Sequence, residues 1–118
     1  MQVESFSWVG VSTSDFERSL RFYRDLLGLE LWVEGDQQAI LRTASGHQLE
    51  IFGGDEREKR LTSSPVVAFE VDDLASAIGE LRLAGIELIG EAGSWNGFAW
   101  QYFRSPEGHI FELKSSQL

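Results

Sequence analysis

QAILRTASGHQLEIF, from Gln38 to Phe52, recurs as WQYFRSPEGHIFELK, from Trp100 to Lys114. A shift of 62 positions lays Arg42 on Arg104, Gly46 on Gly108, His47 on His109 and Glu50 on Glu112. Each copy reads as a strand, a tight turn at the glycine and a second strand. Upstream, WVGVSTSDF (Trp8 to Phe16) lies on VVAFEVDDL (Val66 to Leu74) at a shift of 58, and LLGLEL lies on AGIEL with one residue deleted. The chain is therefore two copies of one unit. Two copies do not make a solenoid. They imply one pseudo-symmetric domain over residues 1–118, with a first unit at about 1–54, a linker at about 55–64 and a second unit at about 65–118. The functional cleft is expected where equivalent strands of both copies face each other.

The elements of each unit follow from periodicity. Val9, Val11 and Thr13 alternate with Trp8, Gly10 and Ser12, as Val67, Phe69 and Val71 do with Val66, Ala68 and Glu70. A helix follows each opening strand. Ser14 and Glu17 have capping-box spacing, Phe16, Leu20, Tyr23 and Leu27 form one stripe, and Gly28 is placed to end it. In the second copy Asp72 or Asp73 caps, Leu74, Ala77, Ile78, Leu81 and Ala84 form the stripe, and Gly85 stops it. A short strand and the repeated hairpin complete a βαβββ unit. The fold class is α+β: two pseudo-symmetric βαβββ units forming a concave mixed sheet with helices on the outer face. Period-two alternation puts Leu49, Ile51, Phe111 and Leu113 toward the helices and Glu50 and Glu112 on the opposite face, with Trp8 and Val66.

Composition narrows the function classes. The chain has 118 residues, 42% of them apolar, and no cysteine, which removes disulfides, thiolate metal sites and cysteine nucleophiles. It lacks a long apolar run and a signal-peptide pattern, so the expected location is cytoplasmic with no membrane partner. Nineteen acidic against ten basic residues leave a formal charge of −9, which opposes nucleic-acid binding and favours a cationic ligand. Arg18, Arg21 and Arg24 read as a solvated helix face, and DEREKR from Asp55 to Arg60 as the exposed linker.

Paired βαβββ units, the VVAFEVDDL strand-to-helix start and the SPEGHIFELK hairpin resemble the vicinal oxygen chelate superfamily. That superfamily includes glyoxalase I, extradiol dioxygenases, methylmalonyl-CoA epimerase, and fosfomycin and bleomycin resistance proteins. The resemblance covers almost the whole chain and implies its fold. It leaves function open, because the same scaffold serves enzymes and binding proteins.

In metal-dependent members the ligands come from the opening and last strands of each unit. Carried over, those positions are Trp8, Glu50, Val66 and Glu112. Neither opening-strand position is a histidine. A tightly held transition metal wants imidazole or thiolate ligands, so no cofactor is expected; a divalent metal on Glu50 and Glu112 is the alternative. His47 and His109 read as turn-edge residues. Glu50 and Glu112 are the catalytic candidates if the chain is an enzyme, as bases of raised proton affinity beside Trp8; salt-bridged or solvated carboxylates are the plainer reading.

The second unit carries five extra residues between its third and fourth strands, within Gly90 to Phe98. That stretch reads either as a lid bearing Trp95 and Phe98 or as an ordinary long hairpin. A four-residue Ser105-Pro106-Glu107-Gly108 turn would set Gln101 and Phe103 beside Glu112 and Ile110, facing the cavity, and turn Trp100 and Tyr102 away; a bulge would reverse this. The expected ligand-binding set is thus Trp8, Val66, Glu50, Glu112, Trp95, Phe98, Gln101 and Phe103.

The leading functional expectation is a metal-free small-molecule-binding protein of the bleomycin-resistance type, taking a partly aromatic, cationic ligand. The competing one is a divalent-metal-dependent glyoxalase-like lyase, isomerase or dioxygenase using Glu50 and Glu112; a dimerisation module with a vestigial cavity is a third. A homodimer is expected, since a chain this small has little apolar surplus for a deep pocket of its own, and sedimentation velocity tests it.

Overall fold

The computed structural model describes residues 1–116. The elements run β1 (Ser5–Ser12), α1 (Phe16–Arg21) continuing into a π-helical turn (Phe22–Leu26), β2 (Glu30–Gly35), β3 (Gln38–Arg42) and β4 (Gln48–Phe52). They continue with α2 (Glu56–Leu61), β5 (Val66–Glu70), α3 (Leu74–Leu83), β6 (Glu87–Trp95), β7 (Phe98–Arg104) and β8 (Ile110–Ser115). The two βαβββ units read from the repeat are present, and the class is α+β. Contacts group the chain into two compact bodies, Trp8–Val66 and Val67–Leu118, the latter together with Met1–Ser7.

In the first body the strands run β2-β3-β4-β1, antiparallel except for the parallel β1/β4 pair. One sheet face packs on α1. Phe16, Leu20, Ala39, Leu41 and Ile51 are buried there, with Val11, Tyr23, Leu29, Leu31 and Leu49 around them. Ile51 and Leu49 thus lie on the helix side, as alternation predicts. The N-cap is Asp15, whose side chain accepts from the Arg18 N–H at 3.2 Å, one residue later than the expected Ser14. The stripe also fails at its end. The Leu27 N–H bonds back to the Phe22 carbonyl across the π turn, which inserts an extra residue into the helical repeat and leaves Leu27 55% exposed.

In the second body the strands run β5-β8-β7-β6, with β5/β8 parallel. Val71, Ala77, Phe103 and Leu113 form its buried core, with Phe69, Leu74, Leu81 and Phe111 packed against it. Asp73 caps α3 by accepting from the Ser76 N–H at 3.0 Å. The stretch read as a linker is helical: Asp55 accepts from the Glu58 N–H and starts α2.

The inserted residues form no separate loop. Three lengthen β6 over β2 and two lengthen β7 over β3, so the arm is a longer hairpin closed by Asn96 and Gly97. Both have positive φ, 49° and 85°, as a type I′ turn requires. The lid reading of Gly90 to Phe98 is therefore corrected: backbone pairing of Trp95 with Phe98 and of Gly93 with Trp100 makes it sheet.

Candidate functional site

In the first body the face away from α1 is organised around Glu50. The register places Glu50 between Gly10 of β1 and Ile40 of β3, with Trp8 opposite Gln48 and Gln38 opposite Phe52. Trp8 lies over Gly10: a Cβ there would stand 2.2 Å from the indole Cη2, so only glycine permits this ring position. The ring is thereby aimed across the strand, and Trp8 Nε1 donates to Glu50 Oε1 at 3.0 Å. On the other side Gln38 Nε2 donates to Glu50 Oε2 at 2.6 Å. Both oxygens of one carboxylate are held by neutral donors, which fixes its orientation. Trp8 is 3% exposed and packs on Phe52, centroid to centroid 6.3 Å, while Glu50 stays half-buried. Farther along β3 the Arg42 guanidinium sits 4.6 Å above the Trp32 ring and reaches Glu30.

In the second body Glu112, Lys114 and Tyr102 are buried, each at most 5% exposed. The register pairs Tyr102 with Glu112 and Trp100 with Lys114. This corrects the expectation for Gln101 and Phe103. Ser105 and His109 close the hairpin with a 2.8 Å backbone bond, so the loop is three residues long with Gly108 at φ 99°. A loop one residue shorter shifts the pairing by one, and a one-residue shift turns every side chain to the other face. Phe103 therefore joins the helix-side core. Gln101 opposes Leu113, and its Nε2 donates to the carbonyls of Ile89, Gly90 and Tyr102 at 3.2, 3.1 and 2.9 Å. It serves the irregular stretch between Ile89 and Gly93 in β6, where the ladder is broken. Trp100 and Tyr102 take the face that Gln101 and Phe103 were expected to occupy. Trp100 lies over Gly93, where a Cβ would stand 2.7 Å from the ring, and the Lys114 ammonium sits 4.7 Å from the Phe98 centroid.

Of the remaining expected residues, Val66 opens β5 and is buried, and Trp95 ends β6 at 45% exposure. The histidines are exposed hairpin residues: the His47 N–H donates to Thr43 Oγ1 and the His109 N–H to Ser105 Oγ. Trp8, Val66 and Glu50 belong to the first body and Glu112 to the second.

The divalent metal that the resemblance implies does not fit the donors present. Among the described residues no three His, Cys, Asp or Glu side chains group as a metal would need. At the carried-over Trp8 position the indole offers only an N–H, which cannot ligate a cation, and it is turned onto Glu50. Sequence reasoning missed Gln38 and Phe52, named Lys114 only as a partner for the glutamates, and left open the face of Trp100, which the register now places with Lys114. The readable signal for Trp100 was the glycine of each three-residue hairpin loop; nothing in the sequence flagged Gln38.

A family model described as Glyoxalase/Bleomycin resistance protein/Dioxygenase superfamily matches residues 5–113. No curated protein matches. Among solved structures, the chain is similar to the Mn(II)-bound glyoxalase from Novosphingobium aromaticivorans, with TM-score 0.75 and 23% identity over 97% of this chain and 39% of that one. It is also similar to methylmalonyl-CoA epimerase from Mycobacterium tuberculosis, with TM-score 0.69 and 23% identity over 96% and 88%. A superfamily member from Vibrio splendidus 12B01 superposes with TM-score 0.62 at 22% identity over 91% and 94%. Identities this low speak for the shared fold. Among the described residues no helix is long and apolar enough to cross a membrane.

Proposed function

The chain belongs to the Glyoxalase/Bleomycin resistance protein/Dioxygenase superfamily, and on that premise we propose that it is a small-molecule-binding protein whose ligand carries a cationic group, bound without a metal. The observation that carries this is the hydrogen bond from Trp8 to Glu50. A residue that would block a metal instead orients a carboxylate, with Gln38 completing the clamp. Trp8 acts as a positioning residue; Glu50, half-buried beside Ile40 and Phe52, is the group that meets the ligand. A preoriented carboxylate beside apolar surface pairs with a planar aromatic cation at little reorganisation cost, and the net charge of −9 favours its approach.

Benzamidine and its neutral analogue benzamide test the proposal by calorimetry in the presence of EDTA. Benzamidine is expected to bind and benzamide to bind at least about tenfold more weakly, with the difference lost in Glu50→Gln. Equal binding of the two probes, or one equivalent of tightly held transition metal in protein purified without chelator, would overturn it.

A further inference from the structure

The sheet face that carries Glu50 carries a cation as well. Ala39 and Leu41 of β3 point to the α1 side, so Gln38, Ile40 and Arg42 share the opposite side with Glu50. Ile40 opposes Glu50 and Arg42 opposes Gln48, which makes Arg42 and Glu50 diagonal neighbours with about 7–8 Å between their backbones. The guanidinium lies with its face on the Trp32 ring, 4.6 Å from the centroid. Such a stack leaves the edges of the group, where its N–H donors point, open to other partners. Nη2 reaches Glu30 Oε1 at 3.4 Å, a long contact to a side chain that is 74% exposed, and an ion pair so placed contributes little. Nε and Nη1 have no hydrogen-bond partner among the described residues, and the Arg42 side chain is 36% exposed.

We propose that the ligand of this face is a zwitterion, an aromatic cation held at Glu50 whose far end carries a carboxylate received by the open edge of Arg42. This ligand class rests on the reading of Glu50 as the partner of the cation and adds the second charge. A carboxylate at the guanidinium edge accepts two parallel charge-assisted N–H bonds, a stronger arrangement than the single long contact to Glu30. Trp32 is a positioning residue: its ring holds the guanidinium plane in place, so less freedom is lost when the carboxylate arrives. The chain charge of −9 disfavours a plain anion, whereas an anion joined to a cation arrives without net repulsion.

The probes are 4-amidinobenzoate, which has both charges on one ring, and 4-amidinobenzamide, which has the cation alone, titrated by calorimetry into the full chain with EDTA present. The parent is expected to bind the zwitterion at least about tenfold more tightly than the amide. Arg42→Met should erase that preference, and Trp32→Leu should reduce it. Equal or weaker binding of the zwitterion by the parent, or a preference that survives Arg42→Met, would overturn the role of Arg42; a preference untouched by Trp32→Leu would overturn the positioning role of the ring. Should Arg42→Met fail to fold, Arg42→Gln decides by the same criterion. Benzamidine, titrated in parallel, separates this reading from the one beneath it. If benzamidine binds and the zwitterion gains nothing over the amide, only the Arg42 assignment fails; if no amidine binds the parent, the Glu50 reading fails and the zwitterion with it.

Discussion

Trp8 Nε1 and Glu50 Oε1 stand 3.0 Å apart on the adjacent parallel strands β1 and β4, joined by a hydrogen bond that depends on a glycine between them. The bond sets the direction of the carboxylate. Trp8→Phe removes the donor and shrinks a buried ring, so it should cost more than the about 1 kcal/mol usual for one hydrogen bond, because a void is left as well. Benzamidine affinity should fall with it. In a double-mutant cycle with Glu50→Gln the two changes should be non-additive, and additive losses in urea denaturation would show that the bond is not formed in solution.

Gly10 is the seat of that ring. Gly10→Ala places a methyl group 2.2 Å from the indole, so the ring must leave its position. The expected result is a loss of about 1–3 kcal/mol, the usual range for overpacking. A red-shifted tryptophan emission should accompany it. An unchanged spectrum with parental stability would contradict the packing described.

Gln101 should be structural. Gln101→Leu keeps most of the volume but leaves the Ile89 and Gly90 carbonyls without this donor. Loss of a buried donor costs about 1–3 kcal/mol. The thermal midpoint should drop while benzamidine affinity is retained; the opposite pattern would place Gln101 in the binding site.

The Glu50 clamp can be converted to a metal site within the first body alone. Trp8→His with Gln38→His would put two imidazoles where two donors now reach one carboxylate. A two-histidine, one-carboxylate set should raise zinc affinity by about a hundredfold or more over the parent. Calorimetry on the folded double variant reads this directly, and parental zinc affinity would mean that the three side chains do not converge.

Glu107 supplies a pH test. The Ser105 hydrogen bond, aided by the backbone, holds its carboxyl below the ordinary carboxylate value. A carboxylate depressed on folding contributes stability above its unfolded pKa, and that contribution is lost as pH falls through the folded value. Ser105→Ala should therefore raise the Glu107 pKa toward the ordinary value in a carbon-13 NMR titration. An unchanged titration would mean that the Ser105 hydroxyl does not bond to it.

The repeat of QAILRTASGHQLEIF in WQYFRSPEGHIFELK was enough to determine two βαβββ units, because strand alternation, helix stripes and the glycines at hairpin turns are local signals. Those signals also placed Leu49, Ile51, Phe111 and Leu113 toward the helices. What they could not settle was register. Whether Gly108 closes a three- or a four-residue loop changes the pairing by one, and that choice moved Phe103 into the core and exchanged Gln101 for Trp100 on the other face. The roles of Trp8 and Gln38 were likewise hidden, since they meet Glu50 from different strands and sequence separation carries no trace of such a contact. Local patterning decides which elements form; only pairing between distant strands decides which side chains face a common carboxylate.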